Sequence, residues 1–153
     1  RCLDLAYPNF LPRLEFSLRF VEVEPGKPVT ALGMYWRTAV NDHPQRDLAL
    51  RLDSAGASVF YSGDGRPTTE THALAEGVDL IVHEAFHLSK DIPGHGTIAG
   101  CLDMARTSKA QRLALVHIQR DVRRDRFDEI KELVHSIKDF EILIPEPGDR
   151  LSV

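Results

Sequence analysis

Three short apolar runs in the middle of the chain each stop at residues able to hold a cation. Ser58-Val59-Phe60-Tyr61 leads to Asp64, Val78-Asp79-Leu80-Ile81-Val82 leads to His83 and Glu84, and Leu113-Ala114-Leu115-Val116 leads to His117. Runs of four or five residues read as strands rather than helices, and near-continuous apolar runs suit the interior of a parallel sheet. Between them lie helical patterns at residues 68–76, stopped by Gly77, and 97–107, where Ile98, Cys101, Leu102 and Ala105 share one face. In open α/β sheets, ligands collect beyond the carboxyl ends of the strands. The pattern therefore predicts a sheet with a metal site at one rim.

The rest of the chain fills in that sheet. Residues 1–12 carry Pro8 and Pro12 without a period and read as an irregular lead-in. Residues 14–23 alternate, with Leu14, Phe16, Leu18 and Phe20 on one side, which predicts a half-buried strand. Pro25-Gly26-Lys27-Pro28 is a turn, residues 29–40 are a second β-rich stretch, and residues 47–53 alternate again before a hairpin-like turn at residues 54–57. Residues 125–138 form the clearest helix, striped by Phe127, Ile130, Leu133, Val134 and Ile137, and residues 141–144 form a last strand. The expected fold class is α/β (α+β): a mixed sheet, antiparallel first and then βα-alternating, with flanking helices.

At 153 residues and 17.2 kDa the chain predicts one domain. A net charge of -4 gives no general pull toward nucleic acid or an anionic membrane. Cys2 and Cys101 form no CxxC pair, which argues against a disulfide scaffold and for a reducing, cytoplasmic setting. No apolar run approaches the length of a membrane span, so no membrane partner is expected.

Each candidate residue has a plain reading beside the functional one. Asp64 stands between Gly63 and Gly65, where the backbone turns sharply and can approach a ligand. From that tetrapeptide alone, a turn aspartate capping the next helix is the stronger reading. A strand-end histidine such as His117 is commonly structural, yet a neutral imidazole at a sheet rim suits zinc. His95, between two glycines at a helix start, is either a loop residue or a proton donor beside a metal. Neighbours on a strand point to opposite faces, so His83 and Glu84 cannot both face one site while the strand continues. Glu84 is assigned to support His95 from behind. His43 stands evenly between structural and substrate-contact readings. His87 reads as a loop residue, and His72 and His135 as surface residues on helices.

In order, these pieces resemble the metallo-β-lactamase superfamily, and most closely its ribonuclease Z-like phosphodiesterase branch. Gly63-Asp64-Gly65-Arg66-Pro67 is similar to that branch's GDTRP motif, His83-Glu84-Ala85-Phe86 to HEAT, Gly94-His95-Gly96-Thr97 to GHST, and Val116-His117 to a strand ending in TH. Asp42-His43-Pro44 followed by residues 48–52 resembles a His-x-x-Pro loop leading to a GYRI-like strand. The resemblance implies that Asp64 bridges two divalent metal ions, zinc first and manganese as the alternative. It implies that His117 ligates one ion, that His95 stabilises the oxyanion or protonates the leaving group, and that Glu84 supports His95. The implied chemistry is hydrolysis of a phosphodiester or related ester by a hydroxide held between two metals.

The sequence departs from that family in three ways. No HxHxDH motif is present, nor is the further histidine that normally precedes the Asp64 region. Residues 1–153 therefore read as the C-terminal portion of one such domain, half of an αββα sandwich, beginning at Arg1 rather than a methionine. The short passage from Leu52 to Ser58 leaves no room for an RNA-gripping arm, and Ile118-Gln119-Arg120-Asp121 replaces the usual FSSRY. These last two departures count against transfer RNA and for a small phosphodiester or ester substrate. The N-terminal half, or a second copy of the chain, is expected to complete the site, and the fragment alone is expected to be inactive and to hold metal weakly. The opposing reading is a non-catalytic relic or interaction domain on the same fold. A third reading is a mononuclear site of His83, His87 and His117.

Overall fold

The chain changes from hairpins to crossovers at its fourth strand, and that change sets the architecture. The computed structural model describes residues 2–153. After a short helix α1 (Cys2–Ala6) and a single helical turn (Leu11–Arg13) come β1 (Val29–Ala31), β2 (Met34–Val40), β3 (Leu48–Ser54) and β4 (Ala57–Tyr61). These pair antiparallel in sequence order. Leu32 and Gly33, at φ 55° and 74°, make the two-residue turn between β1 and β2 that divides the β-rich stretch in two. From β4 onward a helix separates each strand from the next: α2 (Thr69–Ala75), β5 (Leu80–Glu84), α3 (Ile98–Thr107), β6 (Arg112–Val116), α4 (Arg120–Ser136) and β7 (Glu141–Leu143). β4 to β7 pair parallel, which completes one seven-stranded sheet in strict sequence order.

The register places two different rows of side chains across that sheet. Phe60, Ile81, Leu113 and Ile142 stand opposite one another on one face. Phe60, Ile81 and Leu113 join Leu74 and Ala75 of α2, Ile98, Cys101, Met104 and Ala105 of α3, and Val122 and Ile130 of α4 in one buried core, with Ile142 partly buried against it. Arg51 fastens α2 to this face by donating to the Leu74 and Glu76 carbonyl oxygens. The other face carries Leu50, Tyr61, Val82, Ala114 and Leu143 in register, and none of them belongs to the helix-packed core. Tyr61 is 44 % exposed there.

Three expectations about elements fail. Residues 14–23 are not a strand; Phe16 and Phe20 are about two-thirds exposed, at 66 % and 68 %. Alternation specifies a strand only when a ladder partner and an apolar surface meet it, and among the described residues nothing pairs with this segment. The last helix begins at Arg120, before the expected residue 125. Gln119 caps it by accepting from the Val122 N–H at 2.8 Å, and Arg126 breaks it with non-helical angles. Its first turns are so charged that only Val122 is buried there, leaving no apolar period to read. The segment read as an irregular lead-in holds α1 and the helical turn at Leu11–Arg13, while Arg1 lies outside the described residues. Among the described residues no helix is long and apolar enough to cross a membrane.

Candidate metal centre

Three strand ends and one loop deliver the site. β5 continues through Glu84, so the pleat sends His83 and Glu84 to opposite faces. His83 joins the helix side: it is 1 % exposed, its ring stacks on Phe60 at 6.3 Å, and its Nδ1 lies 2.7 Å from the Glu84 carbonyl oxygen. Burial lowers its pKa to about 4, so the ring is neutral. Glu84 turns the other way and is fully buried. Its Oε1 accepts from the Gly96 N–H at 2.5 Å, while its Oε2 has no hydrogen-bond partner.

The segment after β5 brings His95 to that carboxylate. Gly94, at φ 75°, turns the loop against Pro44, and a Cβ on Gly96 would sit 2.9 Å from the Glu84 carbonyl oxygen. Glycine is thus required for the approach. Arg66 secures the loop by donating to the Ile92 carbonyl at 2.7 Å and pairing with Asp91 at 2.8 Å. Thr97 then caps α3 by accepting from the Gly100 N–H. His95 Nδ1 lies 3.5 Å from Glu84 Oε1. Phe86 stacks on the His95 ring at 4.3 Å and meets His117 edge-on at 5.7 Å.

His117 follows β6 in the left-handed region, at φ 50°. For a residue with a Cβ this costs on the order of 1–3 kcal/mol, and such strain concentrates at functional sites. Its Nδ1 lies 3.1 Å from Asp64 Oδ1 and 3.9 Å from Glu84 Oε2. Asp64 is presented by the turn after β4. Ser62 extends the parallel ladder by donating to the Val82 carbonyl, and its hydroxyl accepts from the Glu84 N–H. The Asp64 N–H donates to Asp47 Oδ2 at 2.6 Å.

The side chains of Asp64, Glu84, His95 and His117 lie at one rim of the sheet, and His43 sits at the edge with its ring 5.5 Å from that of His95. Donor atoms of Glu84, His95 and His117 lie within 4.8 Å of one another, the distance a single cation can span. A buried carboxylate with one unsatisfied oxygen beside two imidazoles is an oxygen and nitrogen donor set able to hold a divalent cation. Burial pushes the Glu84 carboxyl above the ordinary glutamate range, against the Gly96 N–H and the two histidines, which favour the carboxylate. The site of His83, His87 and His117 is not built, because His83 lies on the opposite face. His87 instead accepts from the Lys90 N–H within its own loop. Phe86, Asp47 and Arg66 were not singled out as site residues from the sequence. The aromatic in place of threonine after Ala85 and the arginine after the Asp64 turn were the available signals.

The family model described as the β-lactamase superfamily domain matches residues 10–118, more than half of the chain. The chain belongs to that superfamily. Ribonuclease Z of Natronomonas pharaonis is 34% identical over 103 residues, 64% of this chain and 33% of the relative. Ribonuclease Z of Thermococcus onnurineus is 32% identical over 100 residues, 63% of this chain and 31% of the relative. The chain thus spans about a third of the length of the curated relatives it matches. Among solved structures, the metallo-β-lactamase fold protein YhfI of Bacillus subtilis superposes with a TM-score of 0.74 at 21% identity, over 84% of this chain and 54% of that one. Human tRNase Z, short form, gives 0.54 at 19% identity, over 62% and 40%. These similarities show the fold: the α/β mixed sheet with flanking helices is that of the metallo-β-lactamase proteins. The relatives' names give no support to the expectation against transfer RNA.

Proposed function

We propose that this chain is the C-terminal half of a metal-dependent phosphodiester hydrolase of the superfamily. The observation that carries the reading is Glu84: a fully buried carboxylate with one oxygen unpartnered, facing His95 and His117. An unsatisfied buried acceptor costs about 1–3 kcal/mol. A non-catalytic relic has no use for that expense, whereas a carboxylate that supports two site histidines does: Oε1 lies 3.5 Å from His95 Nδ1 and Oε2 3.9 Å from His117 Nδ1. Asp64 and His117 would hold divalent metal, zinc or manganese, with ligands from the missing half completing two ion sites. When bound, such ions act as Lewis acids toward a phosphoryl oxygen and toward water.

The residues of this chain then divide the remaining work. Glu84 fixes the Gly96 N–H and with it the loop that carries His95. His95 faces the site through its ring edge and delivers a proton to the departing oxygen. When His43 Nδ1 carries the proton it donates to the Gln45 carbonyl at 3.1 Å, leaving Nε2 as an acceptor for a substrate hydroxyl. The open row Leu50, Tyr61, Val82 and Leu143 is the surface on which the other half of the sandwich packs. The coverage of about a third of each ribonuclease Z and about half of the Bacillus structure supports that arrangement.

The test is hydrolysis of bis(p-nitrophenyl) phosphate and of a transfer RNA precursor, with zinc and with manganese. The chain is assayed alone and together with the segment encoded upstream of it. The 153-residue chain alone is expected to be inactive, and activity on at least one substrate is expected on joining the upstream segment. Full activity of His95→Ala in the joined protein overturns the reading.

A further inference from the structure

We propose that Asp47 is a positioning residue for Asp64, and that the glycine at position 63 exists to admit it. This inference rests on the reading of Asp64 as a metal ligand. Asp47 stands immediately before β3, seventeen residues from Asp64 in sequence, yet a single carboxylate oxygen, Oδ2, accepts from both the Asp64 N–H at 2.6 Å and Asn41 Nδ2 at 2.8 Å. Asn41, at the end of β2, is 6 % exposed, and the same Nδ2 also donates to the Ser62 carbonyl at 2.7 Å. The amide thereby uses both of its hydrogens. A clasp of three side-chain hydrogen bonds thus joins the ends of β2, β3 and β4 at the turn that presents Asp64.

The geometry of Gly63 fits only this clasp. Its φ is 66°, and a Cβ built there would lie 2.3 Å from Asp47 Oδ2. Any side chain at position 63 would expel the oxygen that holds the next residue's N–H. A turn needing only a left-handed residue would tolerate asparagine or aspartate; this one also needs the volume empty. Asp47 does not reach the donor cluster of Glu84, His95 and His117, so its effect on metal passes through the backbone of Asp64. Supporting contacts of this kind orient a ligand and typically carry a ten- to hundredfold share of metal affinity.

Because one oxygen makes both bonds, the hydrogen-bonding role separates from the charge. An amide oxygen in Asp47→Asn can accept both donors without the negative charge. Asp47→Glu keeps the charge but moves the oxygen by one methylene, and Asp47→Ala removes both. The experiment is zinc affinity of the 153-residue chain, read by competition with a chromophoric chelator. It is paired with hydrogen exchange of the Asp64 amide and a thermal melt. Asp47→Ala and Asp47→Glu are expected to weaken zinc binding by about ten- to hundredfold and to speed Asp64 amide exchange; Asp47→Asn is expected to stay near the parent. If the alanine variant melts without a cooperative transition, the glutamate variant decides. Parent-like affinity in Asp47→Glu, or a loss in Asp47→Asn equal to that in Asp47→Ala, overturns the positioning role. Unchanged affinity in Asp64→Ala overturns the ligand assignment itself, and the exchange rate of the Asp64 amide still reports whether Asp47 holds it.

Discussion

Phe60 and Tyr61 are neighbours on one strand and live in different environments. Phe60 is fully buried between the sheet and the helices, while Tyr61 is 44 % exposed on the opposite face. The division holds at the centre of the sheet, where Ile81 and Leu113 are dry and Val82 is partly covered; Ala114 in the second row is fully buried, and on the edge strand Ile142 and Leu143 are both partly covered. The helix-packed face is finished and fixes the strands. The other face is built of the same residue types, and its row of Leu50, Tyr61, Val82, Ala114 and Leu143 stands outside the helix-packed core. The candidate site lies where the two meet, since Glu84 takes the open-face parity at the carboxyl end of β5 while His83 takes the core parity.

The largest effect should come from breaking that contrast directly. Phe60→Ala is expected to cost about 3–5 kcal/mol, because the ring leaves a cavity in a packed core. Tyr61→Ala in the 153-residue chain is expected to cost under about 1 kcal/mol, as for surface substitutions. Urea denaturation of both variants checks this, and equal costs would show that the open face is covered in solution. His117 sharpens the contrast at the rim. His117→Gly relieves the left-handed strain that His117→Ala retains, so the glycine variant should be about 1 kcal/mol more stable than the alanine variant. Both should lose zinc affinity, measured with the same chelator competition.

The far end of the same strands offers a pH test. Asp79 accepts from the Ser58 N–H at 2.7 Å, the Ser58 hydroxyl at 2.8 Å and Gln111 Nε2 at 2.7 Å, joining the starts of β4, β5 and β6. The Ser58 hydroxyl is the main cause that holds its carboxyl below the ordinary aspartate range. A carboxylate with a depressed folded-state pKa stabilises above its unfolded value, near 3.8, and loses that contribution as pH falls through the folded value. Asp79→Asn should therefore cost about 1 kcal/mol at pH 7. It should also flatten the acid limb below pH 3.8 in melts taken against pH. An unchanged acid limb would mean that Ser58 does not favour the charged form.

How much of this was legible in the sequence depends on whether a feature is carried by period or by contact. The parallel half was readable because each strand is a buried run whose polar stop lies at the rim; Asp64, Glu84 and His117 stand at those stops, and His95 stands between two glycines at the start of α3. Residues 14–23 misled because alternation is necessary for a strand but a partner makes it one. The start of α4 was hidden because its first turns bury only Val122. Asp47 and Phe86 were missed for a common reason: each acts through a loop contact between segments distant in sequence, and loops carry no period. Gly63 is the exception that points backward. A sharp turn is legible from the glycine, but its left-handed φ and the oxygen that a Cβ there would meet are visible only in the structure.

The smallest effect is at Phe86, and it separates packing from chemistry within the site. Its ring lies nearly parallel to His95, at 19°, and edge-on to His117, at 68°, so it touches both imidazoles without offering a donor. Aromatic contacts of this kind contribute about 0.5–1.5 kcal/mol beyond the area they bury. Phe86→Leu retains most of the volume and removes the ring. It should leave the melting behaviour of the chain nearly unchanged and lower turnover of the joined enzyme by about tenfold or less, the rate equivalent of that energy. Zinc affinity should change little, because Phe86 meets His117 only edge-on and Asp64 Oδ1 stays 3.1 Å from the His117 Nδ1. A fall in zinc affinity with unchanged turnover would reverse the assignment. It would mean that Phe86 orients His117 as a ligand, and that the stacking on His95 has no part in proton delivery.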